Sequence, residues 1–121
     1  MNMIYKHKRN KIRVIPDHLS PVIIDLVGEN FIDTLKAKDI GEGGLSVYVP
    51  YQFTGCIIDR EIELIVTLPK VRSFKTSGLI RHKGEKQGFY FGIAFLHIEE
   101  KDLKALKGYI KTMGEQGRFV K

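Results

Sequence analysis

The sequence predicts an all-β domain: a six-stranded antiparallel β-barrel with a C-terminal α-helix and a flexible, basic N-terminal arm. From Ser20 onward, apolar and polar residues alternate in several short runs, which is the pattern of half-buried strands. At Glu99 this pattern changes to a helical period. Six strands in an open sheet would expose two unpaired edges, and closure into a barrel removes them.

The chain is long enough for one hydrophobic core, with 121 residues of which 43% are apolar. We divide it into a basic arm at 1–15, a barrel with its helix at 16–113 and a tail at 114–121 that we expect to fray. The formal net charge is +6, which favours an anionic partner. The first thirteen residues hold no acidic residue, and their basic residues are Lys6, Lys8, Arg9, Lys11 and Arg13.

The six predicted strands follow in chain order. The first carries Val22, Ile24 and Leu26 on one face, and a turn at 28–30 leads into the second, which runs through Lys38. The third covers 44–49 and ends before a proline. The fourth, at 60–68, alternates most regularly, and its glutamates lie on the face predicted to be exposed to solvent. The last two strands cover 74–82 and 89–96.

The predicted helix covers residues 99–113 and has one apolar stripe that should pack against the barrel. The stripe consists of Leu103, Leu106, Ile110 and Met113. Elsewhere, the single Cys56 excludes an intrachain disulfide framework and fits a reducing compartment. The basic N-terminus lacks the apolar core of a signal peptide, and no apolar run approaches the roughly 20 residues of a membrane span. We therefore expect a cytoplasmic protein without membrane insertion.

Two short segments carry candidate binding chemistry. Arg9 and Arg13 lie four residues apart on the arm, and Lys8 precedes them. Arginine can grip a phosphate or the O6/N7 edge of guanine with two parallel hydrogen bonds. A second segment, 39–44, reads Asp-Ile-Gly-Glu-Gly-Gly and joins the second and third strands. Its glycines allow a ligand to approach the backbone, and the carboxylate of Asp39 can accept hydrogen bonds from guanine N1–H and N2–H₂.

Each segment also has a simpler explanation. The arginines could belong to a solvated basic tail, and the glycines could serve a β-turn or bulge that requires positive φ. Order and spacing make the pair more specific. The two segments together resemble the PilZ family, whose members carry Arg-x-x-x-Arg and then Asp/Asn-x-Ser-x-x-Gly. Arg9 and Arg13 match the first motif, and Asp39 and Gly44 match the second.

The resemblance runs from about Lys8 to Met113 and includes Gly-Gly-Leu at 43–45, the late strand Tyr-Phe-Gly-Ile-Ala-Phe at 90–95 and the closing helix. PilZ domains are typically receptors for cyclic di-GMP. The resemblance implies a receptor or adaptor with no catalytic residue, metal or cofactor. Its arm would change conformation on binding the ligand and signal to a protein effector in flagellar, exopolysaccharide or transcriptional machinery.

By the same resemblance, Arg9 and Arg13 would clamp the guanine Hoogsteen edges and phosphates, while Lys8 would meet a phosphate. Asp39 would read a guanine Watson–Crick edge, and Gly44 would shape the turn and admit the base. The stoichiometry stays open between one ligand and an intercalated pair, because Lys8 stands where many members have a further arginine.

One residue departs from the family pattern: Gly41 stands where the family has serine. A neutral hydrogen bond contributes roughly 0.5–1.5 kcal/mol, so we expect weaker rather than abolished binding, with the Gly41 N–H or a water in place of the hydroxyl. We also expect Gly41→Ser to tighten binding. The same departure keeps a second hypothesis open, a PilZ-like protein-interaction module that no longer binds nucleotide.

Two other classes of function are less well supported by the residues. A basic barrel could bind single-stranded nucleic acid through aromatic rings, but Phe89 and Phe91 share a strand face with Ile93 and should lie in the core. An enzyme would need a nucleophile, a base and an orienting group, and no such set is visible. The four histidines are scattered without metal-ligand spacing, and the glycine turn lacks the Gly-Lys-Ser/Thr ending of a phosphate loop.

Overall fold

The computed structural model describes residues 12–28, 32–49, 58–84 and 89–120. In these ranges, seven strands precede one helix. The strands are β1 (Arg13–Val14), β2 (Ile23–Val27), β3 (Ile32–Gly41), β4 (Gly44–Val49), β5 (Glu61–Leu68), β6 (Arg72–Gly84) and β7 (Phe89–His97). The helix, α1, spans Glu100–Glu115.

The strands form one sheet in the order β1-β3-β2-β5-β6-β7-β4, and an additional pairing of β3 with β4 closes the six strands from β3 to β4 into a barrel. All neighbouring strands are antiparallel. The predicted barrel of six strands, β2 to β7, is therefore confirmed. The short strand β1 is an addition to it and pairs with β3, with Arg13 opposite Gly41 and Val14 opposite Ile40.

Alternation of apolar and polar residues builds the core as predicted. Ile62, Leu64, Val66 and Leu68 of β5 are buried, whereas its glutamates are exposed. In the helix, Leu106 and Ile110 of the predicted stripe are buried, and Leu103 and Met113 are half-buried. The stripe is wider than predicted, because Asp102 and Tyr109 are buried too.

The connection between β5 and β6 is tighter than predicted. Lys70 has a φ of 62°, and the N–H of Val71 donates to the carbonyl of Leu68 at 3.1 Å. This compact turn lets pairing begin at once, with Leu68 opposite Arg72. As a result, β6 begins two residues before the predicted strand at 74–82 and continues to Gly84.

The expectation that the tail frays is wrong. The N–H of Ile15 donates to the carbonyl of Arg118 at 2.7 Å, and the N–H of Val120 donates to the carbonyl of Arg13 at 3.0 Å. Val14 and Phe119 form an antiparallel bridge between these bonds. We call residues 118–120 the C-terminal segment. The end of the predicted arm lies between β3 and this segment.

The remainder of the predicted arm, including Lys8 and Arg9, lies outside the described residues. Cys56 lies outside them as well. In the described ranges, no helix has both the length and the apolar character that a bilayer crossing requires.

Candidate functional site

The two motifs meet in an ion pair. Arg13 Nη1 donates a hydrogen bond of 2.6 Å to Asp39 Oδ1. The Asp39 side chain is only 8% exposed, whereas that of Arg13 is 36% exposed. On the other oxygen, Lys38 Nζ lies 3.9 Å from Oδ2. Since a buried carboxylate is costly unless it is paired, Asp39 needs this guanidinium and holds it at the surface.

A β-bulge brings Asp39 into this position. The pairing of β3 with β4 shifts register between Ala37 and Asp39, which leaves Lys38 as the extra residue. In a regular strand, neighbouring side chains point to opposite faces. Here the buried core residues Ala37 and Ile40 are three positions apart, so the extra residue reverses the alternation and Asp39 points away from the core. The bulge therefore turns the carboxylate toward β1, where Arg13 receives it.

Gly41 lies where the arm crosses the barrel. A Cβ at this position would lie 2.6 Å from the carbonyl oxygen of Ile12 and 3.1 Å from Arg13 Cγ. The absence of a side chain thus permits β1 to approach β3. The expectation that Gly41→Ser tightens binding disagrees with this geometry, because the new side chain would displace the residues that carry Arg13.

Gly44 has a similar structural role at the closure of the barrel. It pairs with Ala94 of β7, and a Cβ would overlap the carbonyl oxygen of Ile93. Among the described glycines, positive φ occurs at Gly117 alone. Gly41 and Gly44 are therefore explained by close backbone approach and not by a left-handed turn.

A cleft of about 200 Å³ opens beside the ion pair. It is lined by Arg13, Gly41, Gly43, Arg81, His82, Gly92, Ile93 and Ala94. Sites for whole small ligands usually measure about 300–1,000 Å³, so this cleft suits a part of a larger ligand, such as one phosphate or one base. The structure thus brings Arg13 and Gly41 into one cleft, with Asp39 behind the arginine and Gly44 in the adjoining strand.

Sequence reasoning missed two residues of this cleft, Arg81 and His82 of β6. The only signal was an adjacent arginine and histidine near the end of a predicted strand. The His82 ring lies against β7, where a Cβ at Gly92 would overlap it. It also meets the Tyr90 ring edge to face, with centroids 5.9 Å apart.

Tyr90 also connects His82 with the ion pair of Arg13 and Asp39, through Lys38. Lys38 Nζ lies 5.2 Å from the centroid of the Tyr90 ring, a cation–π distance. Asp39, Lys38, Tyr90 and His82 therefore contact one another in sequence along the rim. In the described ranges, no group of three or more His, Cys, Asp or Glu side chains could hold a metal ion.

The barrel, its added strand and the closing helix define a PilZ-like fold, and solved structures agree. The chain superposes on the PilZ domain of YcgR from Escherichia coli, solved with cyclic di-GMP, at a TM-score of 0.75 and 11% identity, over 91% of this chain and 94% of that one. For MotI/DgrA of Bacillus subtilis, an inhibitor of motility, the TM-score is 0.75 at 18% identity. The match covers 91% of this chain and 53% of that one. For the MrkH–cyclic di-GMP complex of K. pneumonia the TM-score is 0.76 at 10% identity. The match covers 90% of this chain and 53% of that one.

Comparison by sequence is less informative. No family model matches the chain. An uncharacterized protein of Aquifex aeolicus is 28% identical over 114 residues, which cover 85% of this chain and 50% of that protein. The chain therefore spans about half the length of this relative. The predicted PilZ resemblance is confirmed for the fold.

Proposed function

We propose that this chain is a non-catalytic receptor for cyclic di-GMP whose arm responds to the ligand. The observation that carries the proposal is the ion pair between Arg13 and Asp39. It joins the two motifs across 26 positions of sequence and sits at the point where the arm meets a PilZ-like barrel.

The ion pair leaves Arg13 able to bind a ligand. A guanidinium has five N–H donors, and the only side-chain hydrogen bond of Arg13 within the described ranges uses Nη1. The remaining donors suit a phosphate or the O6/N7 edge of guanine, and the residue lines the cleft. In this arrangement Asp39 is a positioning residue. A guanine read by Asp39 would have to compete with Arg13 for its carboxylate.

Arg9 and Lys8 complete the proposed site from the arm. Arg9 lies four residues before Arg13, and four extended residues span at most about 14 Å. Both arginines can therefore reach one cyclic dinucleotide. If the arm folds over the ligand, fixing each backbone residue costs about 1–2 kcal/mol, so the charge of the ligand has to offset this cost.

Similar solved structures suggest the kind of output. The PilZ domain of YcgR was solved with cyclic di-GMP, MotI is described as an inhibitor of motility, and MrkH is described as a cyclic di-GMP dependent transcription regulatory factor. We propose that this chain likewise acts through a partner, which is a protein of flagellar, exopolysaccharide or transcriptional machinery. No catalytic step is needed for such a role.

A second candidate, a PilZ-like interaction module without nucleotide binding, is favoured by two observations. At Gly41 the position of the family serine is closed by the backbone of Ile12, and the Asp39 carboxylate is already occupied. Single-strand nucleic-acid binding has weaker support. Phe91 is 3% exposed, and Phe89 and Phe95 pack against the core, so these rings offer no stacking surface.

Calorimetric titration with cyclic di-GMP tests the proposal. Wild type should bind, and Arg13→Ala should weaken binding by at least about tenfold, since a hydrogen bond to a charged group contributes roughly 1.5–3 kcal/mol. Arg9→Ala should have a similar effect. Lys111→Ala, an exposed helix residue, removes the same charge and should bind as wild type does. Absence of heat from wild type at high micromolar ligand would contradict the receptor and favour the interaction module.

A further inference from the structure

We propose that Arg81 and His82 form the second wall of the ligand cleft and contact the phosphate and base edge opposite Arg13, an inference that rests on the proposed receptor function. Arg81 would supply the cation that meets a phosphate. His82 would present a pre-positioned imidazole to the adjoining base. Neither residue belongs to the two motifs.

The first support is a β-bulge in β6. Its pairing with β7 sets Ile80 opposite Ile93 and His82 opposite Gly92, with a register shift between Ile80 and His82. Adjacent side chains of a regular strand point to opposite faces. At this bulge Arg81 and His82 are consecutive, both are exposed, and both line the cleft of Arg13. Bulges of this kind commonly re-aim side chains beside functional sites.

The second support is charge. The charge of Arg13 is offset by Asp39 at 2.6 Å. Arg81 forms no ion pair with any residue in the described ranges. It is therefore the unneutralised cation of the cleft. A ligand with two phosphates can engage a cation of the barrel in addition to the arginines of the arm, and an arginine can bind a phosphate with two parallel hydrogen bonds.

The third support is the fixed position of the imidazole. Because residue 92 is glycine, the His82 ring can lie directly against the β7 backbone. The edge-to-face contact with Tyr90, at an interplanar angle of 82°, restricts its rotation. An exposed histidine without a role would not need this support from two residues. A ring held at the cleft loses little entropy when it binds a ligand.

Calorimetric titration of the full chain with cyclic di-GMP provides the test, with Arg81→Ala, Arg81→Lys and His82→Ala. Arg81→Ala should weaken binding at least about tenfold, and His82→Ala about threefold or more. Arg81→Lys should fall between wild type and alanine, because an ammonium keeps the charge but loses the fork of donors. Lys75→Ala is the matched control, since Lys75 is an exposed cation of the same strand outside the cleft.

The outcomes separate this inference from the proposed function. Suppose that wild type binds and that Arg13→Ala weakens binding. If either Arg81→Ala or His82→Ala then binds as wild type does, the proposed role of Arg81 and His82 is overturned, and the proposed receptor function is not. If wild type itself does not bind, both are overturned. Far-UV circular dichroism should match wild type in each variant, and the thermal midpoint should be unchanged in Arg81→Ala, because Arg81 is exposed and forms no ion pair within the described ranges.

Discussion

At Gly41, the backbone of the arm and the backbone of the barrel come so close that the identity of one residue decides whether Arg13 can be held. A serine at this position would meet the carbonyl oxygen of Ile12, which lies 2.6 Å from where a Cβ would be. The sequence alone suggested a lost hydroxyl. The structure instead indicates a gained contact between β1 and β3.

Gly41→Ser should therefore destabilise the chain and weaken ligand binding. Overpacking of this kind costs about 1–3 kcal/mol, and urea unfolding would measure it. Gly108→Ala is the control, because a Cβ there meets no atom within 4 Å. In a helix that exchange should stabilise by about 0.5–1 kcal/mol. A Gly41→Ser protein that is as stable as wild type and binds more tightly would contradict this prediction. It would show that β1 can shift away from the new side chain at little cost.

Tyr109 is a second residue whose surroundings affect stability, in this case its dependence on pH. It is buried, and its hydroxyl has no hydrogen-bond partner among the described residues. Burial raises the pKa of Tyr109 to about 12, while nearby Arg118 lowers it and Asp17 raises it. An unfolded tyrosine titrates near pH 10. Between pH 10 and 12 the unfolded chain releases this proton and the folded chain keeps it, so stability falls as the pH rises.

Tyr109→Phe should remove that part of the pH dependence. At pH 7 the variant should be at least as stable as wild type, because an unpaired buried hydroxyl is lost. At pH 11 its advantage should grow, toward a limit of about 3 kcal/mol at higher pH. Urea unfolding of both proteins at the two pH values would measure the difference. Parallel pH dependence would mean that the hydroxyl is hydrated in the folded state.

At the scale of elements, β1 is held from both sides. On one side it pairs with β3, and on the other with the C-terminal segment. Arg118 adds side-chain bonds, from Nε to the carbonyl of Ile15 at 2.8 Å and from Nη2 to that of Pro16 at 3.0 Å. A strand of two residues would not be stable alone, so its position depends on these partners.

Arg118→Ala should loosen β1. We expect a loss of about 1–2 kcal/mol, because two charge-assisted hydrogen bonds disappear from a partly exposed site. Hydrogen exchange at the Ile15 amide, which donates to the Arg118 carbonyl, should accelerate more than exchange in β5. Lys111→Ala again serves as the control for lost charge. Equal exchange in the two variants would mean that backbone pairing alone holds β1.

The elements also explain what the sequence could and could not predict. Alternation in β5 is complete, with Ile62 and Leu64 inward and Glu61 outward, so the strand and its faces were predicted correctly. The bulges at Lys38 and Arg81 leave no periodic signal. Sequence spacing therefore predicted Arg13 and Asp39 as candidate ligand residues but not as partners of each other. It missed Arg81 and His82 altogether.

For the molecule as a whole, closure of the barrel was predictable from strand number, since every pairing but those of β1 joins two strands with recognisable alternation. The pairing of β1 with the C-terminal segment was not predictable. It links residues 103 positions apart in sequence, as the Arg118–Ile15 bond shows, and neither segment has an apolar period. Such contacts follow from the tertiary arrangement of the barrel and not from local sequence.

The adjacency of β1 and the C-terminal segment has a mechanical consequence. Any polypeptide fused after Lys121 would be separated by one residue from Val120, whose N–H donates to the carbonyl of Arg13. A force on that attachment would be transmitted through this hydrogen bond to Arg13 and its cleft. A displacement of β1 would in turn move the attached polypeptide. A fusion at this end would therefore act on the cleft of Arg13 and would not be mechanically neutral.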